Sequence, residues 1–353
     1  MEIPHHKFGQ TSIAKVRNSQ ELRQVLDEPW LESESIIIKP NWATVEQGYF
    51  ADTETLRMLF EALDSKITIT ESHIFTRSQT YPVKGMNFNV GEKELSAESF
   101  LFGDGWRWLI KNPDWDWFKK GGYWEWMRKE EKDFLDNFGF TDLFKEFNVD
   151  YVNVTDEVWS GRIADPTKVK RAVESRFSPV RAEKIFNMVP KKLYELRGST
   201  FISFASLLHH ASFTLKNMFG MIPDPIRSWW HGPKSLRTAS SILDINKVYH
   251  SLFNVYGICE ALKNTAFHDP EGEYKSRFLS DVVYNVVKDL GIIVFGRNLA
   301  SLDAILLRLT EGSIVVSDEV NRKPIKLALE EFGAIDEEVL KEAKMMVGDW
   351  LRQ

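Results

Sequence analysis

Residues 35–72 read "SIIIKPNWATVEQGYFADTETLRMLFEALDSKITITES", and this stretch decides the fold class. Ser35–Lys39 and Ile67–Glu71 are short β-branched runs that end at polar positions, the pattern of buried strands. Between them Asp52 stands as a helix N-cap, with Leu56, Leu59, Phe60 and Leu63 at i, i+3, i+4 and i+7 on one helical face. Strand, helix, strand is the building unit of an α/β protein.

The pattern continues along the chain. Phe201–Ala205, Leu252–Tyr256 and Ile292–Gly296 read as further strands, and Val149–Val154 as a weaker one. Leu302, Ile305, Leu306 and Leu309 repeat the helical spacing, and two more helical patterns cover Ile325–Phe332 and Glu337–Trp350. Gly333 is placed to end the first of these and Asp336 to cap the second. The expectation is an open parallel or mixed sheet flanked by helices. Residues 1–73 supply its first part, and residues 147–353 its remainder with the C-terminal helices. Residues 74–146 form a Trp-rich helical insertion or lid. Six of the chain's twelve tryptophans lie there as Trp106/Trp108, Trp115/Trp117 and Trp124/Trp126, while Pro113 and Gly121-Gly122 break any continuous helix. A satellite core over the sheet, a lid on an apolar pocket, and a partner or membrane-surface patch are its three open roles.

The totals narrow the function classes. A chain of 353 residues fits one large α/β domain or two lobes. A net charge of -6 with both signs interspersed gives no basic surface to follow a phosphate backbone, so nucleic acid is not expected as a partner. A single cysteine, Cys259, excludes an intrachain disulfide framework and a four-cysteine iron–sulfur cluster. No segment has the ~20 apolar residues of a transmembrane span, and the N-terminus lacks a signal peptide's apolar core. A soluble, cytoplasmic protein is expected, with its oligomeric state open.

Open α/β sheets bind ligands beyond the carboxyl ends of their strands. That rule selects Lys39-Pro40-Asn41, then Glu71-Ser72-His73, then Tyr256-Gly257 with Glu260. A second candidate is "TLKNMFGMIP", residues 214–223, where Leu215, Met218, Phe219 and Ile222 form an apolar docking face and Lys216 and Gly220 share a neighbouring one. "RSWWHG", residues 227–232, adds Arg227 and His231. Two readings of each lysine stay open: Lys216 holds an anion or snorkels, and Lys39 holds an anion or pairs internally with Glu71. His73, His209, His210 and His231 with Glu71 are the available metal ligands, although adjacent His209 and His210 point different ways. Cys259 reads as a small buried hydrophobe rather than a nucleophile, and Asp303 caps its own helix or faces the cleft. No Gly-x-x-x-x-Gly-Lys or Gly-x-Gly-x-x-Gly fingerprint follows the first strand.

In order along the chain, Lys39-Pro40-Asn41, Thr53, Glu71, Lys216-Asn217 with Gly220, Arg227, His231 and "FGRNLASLDA" with Asp303 resemble the bacterial and archaeal "domain of unknown function 362" family. "ALEEFGAIDEEVL", residues 328–340, looks like the family's closing helices. The resemblance covers about three-quarters of the chain and leaves out the tryptophan segment. It departs at "SLLHHASF", where Leu207 and Leu208 stand in place of a Lys-x-His lysine, and at Tyr256-Gly257, where members often have Asp-Gly. Some relatives carry a ferredoxin-like cluster domain, for which this chain lacks the cysteines.

The resulting expectation is a cleft for a small anionic metabolite, a carboxylate or a phosphate. Lys39, Asn41, Lys216, Asn217 and Arg227 bind it, and Glu71 and His231 move protons. A non-catalytic accessory protein that binds a ligand or a metal is the alternative. Whether the chain is an enzyme, and whether a divalent metal is its cofactor, stay open.

Overall fold

A computed structural model describes residues 3–26, 33–74, 77, 87–90, 93–96, 123–207, 213–224, 226–232, 235–276, 282–310 and 318–350. The strands are β1 (His5–Phe8), β2 (Thr11–Lys15), β3 (Ser35–Pro40), β4 (Lys66–Glu71), β5 (Asn87–Val90), β6 (Lys93–Ser96), β7 (Asp150–Asn153), β8 (Thr200–Ser206), β9 (Asn254–Ala261), β10 (Asn264–His268), β11 (Tyr274–Lys275), β12 (Val283–Lys288) and β13 (Ile292–Gly296). Eight of them form one sheet in the order β1-β2-β13-β9-β8-β3-β4-β7. Neighbours from β9 to β7 are parallel, and β13 runs antiparallel to both β9 and β2, so the sheet is mixed.

The run of isoleucines in β3 shows why a two-faced sheet forms. Successive side chains of a strand point to opposite faces, so Ile36 and Ile38 enter one core and Ile37 the other. Leu56, Leu59 and Phe60 of helix Thr53–Ala62 cover the first face, and Ile242, Ile245 and Val248 of helix Thr238–Leu252 the second. The cap at Asp52 forms as the sequence predicts, its side chain accepting from the Thr55 amide at 2.8 Å. Asn298 likewise caps helix Leu299–Leu309. Gly333, at φ +115°, follows helix Asp318–Phe332, and Asp336 Oδ1 accepts from the Glu338 amide at 2.9 Å.

One strand is displaced from its expected place. Leu252 closes a helix, and β9 begins only at Asn254 and runs past Gly257 to Ala261. Gly257 reads as a strand end in sequence, but it lies within the strand because Leu302 and Thr214 approach it there: a Cβ would meet Leu302 Cδ1 at 3.0 Å. Glu260 and Cys259 are thus part of β9 rather than of a loop after it. Burial pushes the Cys259 thiol well above its usual range, in keeping with an inert apolar residue.

Of the tryptophan segment, Trp106/Trp108 and Trp115/Trp117 lie outside the described residues. Its end forms helix Tyr123–Asn137, followed by helix Phe140–Glu146. Phe134 and Phe140 from these pack on Trp42 with ring centroids 5.2 and 4.5 Å apart, closing the core beyond the end of β3. Among the described residues no helix is long and apolar enough to cross a membrane.

Candidate functional site

The site is built on the carboxyl ends of β3, β4 and β8, which lie side by side. Lys39 is on the same face of β3 as Ile37, two residues earlier, and that face receives the short helix Thr214–Asn217 and the turn Met218–Met221. Leu215, Met218, Phe219 and Ile222 are all buried against this core, the docking face the spacing predicts. Asp303 holds the start of that helix. Its carboxylate accepts from the amides of Phe213, Thr214 and Leu215 at 2.9–3.0 Å and from Thr214 Oγ1 at 2.6 Å. It therefore caps a neighbouring helix, neither its own nor an open cleft.

Lys39 and Glu71 are each 2% exposed, and their side chains meet at 2.6 Å. The Lys39 ammonium also donates to Asn217 Oδ1 and to the Pro40 carbonyl, both at 2.9 Å, so its three protons are placed on three protein acceptors. Burial lowers its pKa, and the charge and hydrogen bond of Glu71 oppose that shift. Glu71 Oε1 takes the Ser72 amide at 2.9 Å. Asn217 completes the lattice by donating to the Lys39 carbonyl at 2.9 Å and to Ser203 Oγ at 3.2 Å. Of the two readings of Lys39, the geometry is that of the internal pair with Glu71. Asn217 is correspondingly a buried strut, and Asn41 donates to the Tyr49 carbonyl at 2.9 Å.

Gly220 seals this pair. A Cβ there would stand 2.6 Å from Lys39 Cε and Nζ and 2.9 Å from Glu71 Oε1. Gly220→Ala is expected to destabilise the protein by about 1–3 kcal/mol, because the lysine and carboxylate have no second place to go. Chemical denaturation checks it; an unchanged midpoint would show that the pair can shift freely.

Arg227 lies above Gly220. It donates through Nε to the Ile222 carbonyl at 2.7 Å and through Nη2 to Ser72 Oγ and the Gly220 carbonyl, with Asp224 3.9 Å away. Ser72 Oγ in turn donates to the Gly220 carbonyl. His231, half-buried, meets Thr238 Oγ1 through Nδ1 at 3.2 Å and stands edge-on to Phe219, with ring centroids 4.8 Å apart. Burial, with the charges of Arg227 and Lys216, pushes its pKa down to about 4.

Lys216 differs from the other cations. The buried cations each have a carboxylate: Lys39 has Glu71, Arg77 has Glu131, Arg227 has Asp224 and Lys247 has Glu331. Lys216 is half-buried and its ammonium has no hydrogen bond or ion pair among the described residues. Burial alone pushes its pKa down to about 8.

His73 belongs to a second network. Its Nδ1 is 3.0 Å from Glu131 Oε2, which also receives Arg77, while Tyr151 donates to the other Glu131 oxygen. The Arg77 guanidinium lies 4.4 Å from the Phe134 ring centroid. Burial opposes ionisation of Glu131, but Arg77, His73 and Tyr151 outweigh it and hold the carboxyl at about 2. His73 is thus committed to a carboxylate clamp that fastens helix Tyr123–Asn137 to the sheet edge. His209 and His210 lie outside the described residues. Among the described residues no group of three or more His, Cys, Asp or Glu side chains is placed to hold a metal ion.

Sequence reasoning alone does not single out Glu131, Arg77 or Ser203. Glu131 sits in "RKEEKD", a charge run that reads as a solvated face, and nothing local marks it as buried. Asp303 in the apolar "LASLDAIL" does carry a signal, since a carboxylate within such a run needs donors from elsewhere.

The fold and site define a mixed α/β protein with a buried Lys-Glu-Asn lattice at the carboxyl edge of its sheet and, above it, a lysine without a counter-ion among the described residues. The family model for the domain of unknown function DUF362 matches residues 36–308, and the chain belongs to that family. No curated protein and no solved structure matches it.

Proposed function

We propose that this protein binds a small anionic metabolite, a carboxylate or a phosphate, with the Lys216 ammonium as its counter-ion and Arg227 and His231 beside it. The observation that carries this reading is the missing partner of Lys216 among the described residues, where the buried cations are otherwise paired. Lys39, Glu71 and Asn217 act as the rigid floor of the site rather than as ligands. His231, with its pKa near 4, is neutral at pH 7 and supplies a hydrogen-bonding group without further charge. It is a weak base there, and Glu71 is committed to Lys39, so the reading is one of binding and assigns neither group a proton-transfer step. The net charge of -6 favours a small anion over nucleic acid, and the buried free thiol of Cys259 suits a reducing, cytoplasmic setting.

Lys216→Met tests the site. Phosphate or malonate at about 100 times its Kd should stabilise the wild-type protein by ~2.7 kcal/mol and leave the variant unaffected. Without ligand the variant should be as stable as wild type or more so, by up to ~1 kcal/mol, because it removes a cation that has no partner among the described residues. Thermal melts with and without each anion give both values. Equal shifts in the two proteins would place any anion elsewhere.

A further inference from the structure

A separate binding feature lies where three helices of the C-terminal part meet. Helix Leu299–Leu309, helix Asp318–Phe332 and helix Glu337–Trp350 flank a groove with about 360 Å³ of free volume. We propose that this groove binds a single medium-chain carboxylate, its alkyl chain along the leucines and its head group among Arg308, Arg322 and Lys326. Lys216 does not line the groove, so this site stands apart from the anion site.

The floor is apolar and incompletely covered. Leu307 and Ile325 are buried in the core beneath, while Leu329 and Leu340 are only partly buried against it and line the groove. Ile325 and Leu329 stand one turn apart, so they form a continuous apolar strip. A dry cavity of ~150 Å³ takes up benzene. A groove more than twice that size has room for a chain of roughly eight to ten carbons and falls in the range of small-molecule sites.

The rim decides the head group. Arg322 and Lys326, also one turn apart, line the groove from the same helix as the strip, and Arg308 joins them from the last turn of helix Leu299–Leu309. Glu330 is the carboxylate among the lining residues, one against three cations. Like charges at i and i+4 repel, and among the described residues neither Arg322 nor Lys326 has an ion pair or hydrogen bond. Both are exposed, so they meet a ligand's charge without first giving up a partner. Their stems can lie along an alkyl chain while their charged ends hold a carboxylate, the arginines bidentately. An inorganic anion would leave the leucines wet, and an uncharged chain would leave the cations repelling one another; an amphiphilic anion answers both. A groove set between three helices takes one chain, whereas a bilayer would meet only its rim.

Isothermal titration of the full chain with hexanoate, octanoate and decanoate, each below its micelle concentration, tests this. One ligand per chain is expected, with affinity rising by up to about fourfold per methylene, the value for full burial. Acetate, which lacks the chain, and octanol, which lacks the charge, should each bind at least about tenfold more weakly than octanoate. Arg322→Glu with Lys326→Glu alters two exposed side chains, so the melting temperature should change little while decanoate binding weakens at least about tenfold. Lys216→Met should bind decanoate as wild type does. Affinity independent of chain length, or kept by the double variant, overturns the proposal. Decanoate binding lost in Lys216→Met overturns it too, by placing the chain in the other site. Stabilisation by phosphate that the double variant keeps and Lys216→Met loses leaves the Lys216 site standing even then. Pelleting with phosphatidylglycerol vesicles that decanoate fails to displace would make the face a membrane-docking surface and also overturn the proposal.

Discussion

Lys39→Met is expected to lower the free energy of unfolding by about 3–5 kcal/mol, the loss expected when one partner of a buried ion pair is removed. Methionine fills the space of the lysine stem, so little of the effect comes from a cavity. The variant leaves the Glu71 carboxylate, 2% exposed, together with Asn217 Oδ1 and the Pro40 carbonyl, each without the donor it had. Adding Glu71→Leu removes the stranded charge and should recover part of the loss, since a buried pair replaced by apolar groups is often nearly neutral. Urea denaturation of the two single variants and the double variant gives the coupling directly. A loss under ~1 kcal/mol in Lys39→Met would mean that the lysine is not bound in the lattice described.

Glu131 gives the second large effect, with a definite pH dependence. Its carboxyl sits near 2 in the folded protein against 4.5 as a reference. A group whose folded pKa is depressed contributes stability that is complete above the unfolded value and disappears as the pH falls through the folded one. The window is therefore pH 4.5 down to 2, and its size is about 3 kcal/mol. Glu131→Gln removes the charge at every pH and leaves Arg77 buried without its carboxylate, at about 3–5 kcal/mol near neutrality. The gap between variant and wild type should close as the pH falls through that window. Denaturation curves from pH 7 to pH 2.5 check this, and a gap of constant size would assign the acid sensitivity to other carboxylates.

Much of the fold is readable from residues 35–72. The β-branched runs, the Asp52 cap and the i, i+3, i+4 spacing each record a local preference that the sheet and its helices keep. The boundary at Leu252 is not readable, because an apolar residue ends a buried helix as naturally as it starts a buried strand. The floor of the site is half readable. Lys39 and Glu71 mark themselves as polar residues closing apolar strands, and parallel pairing of Ile38 with Ile69 brings those ends together. The choice between an anion and an internal pair depends on Gly220 and Asn217, well over a hundred residues away, which press the lysine onto the glutamate. Glu131 and Arg77 illustrate the limit. Each belongs to a polar stretch, and only the packing of helix Tyr123–Asn137 on the sheet buries them in contact. Lys216 is the converse, a residue conspicuous in sequence whose importance comes from the partner it lacks among the described residues.

The most direct test of the anion site is the pH midpoint of acetylation at Lys216 itself, measured by competitive labelling with and without phosphate. The expected midpoint is about 8 in the free protein, rising when phosphate is present because a bound anion favours the charged amine. A midpoint near ~10.4, unmoved by phosphate, would make Lys216 an ordinary surface lysine and contradict the site.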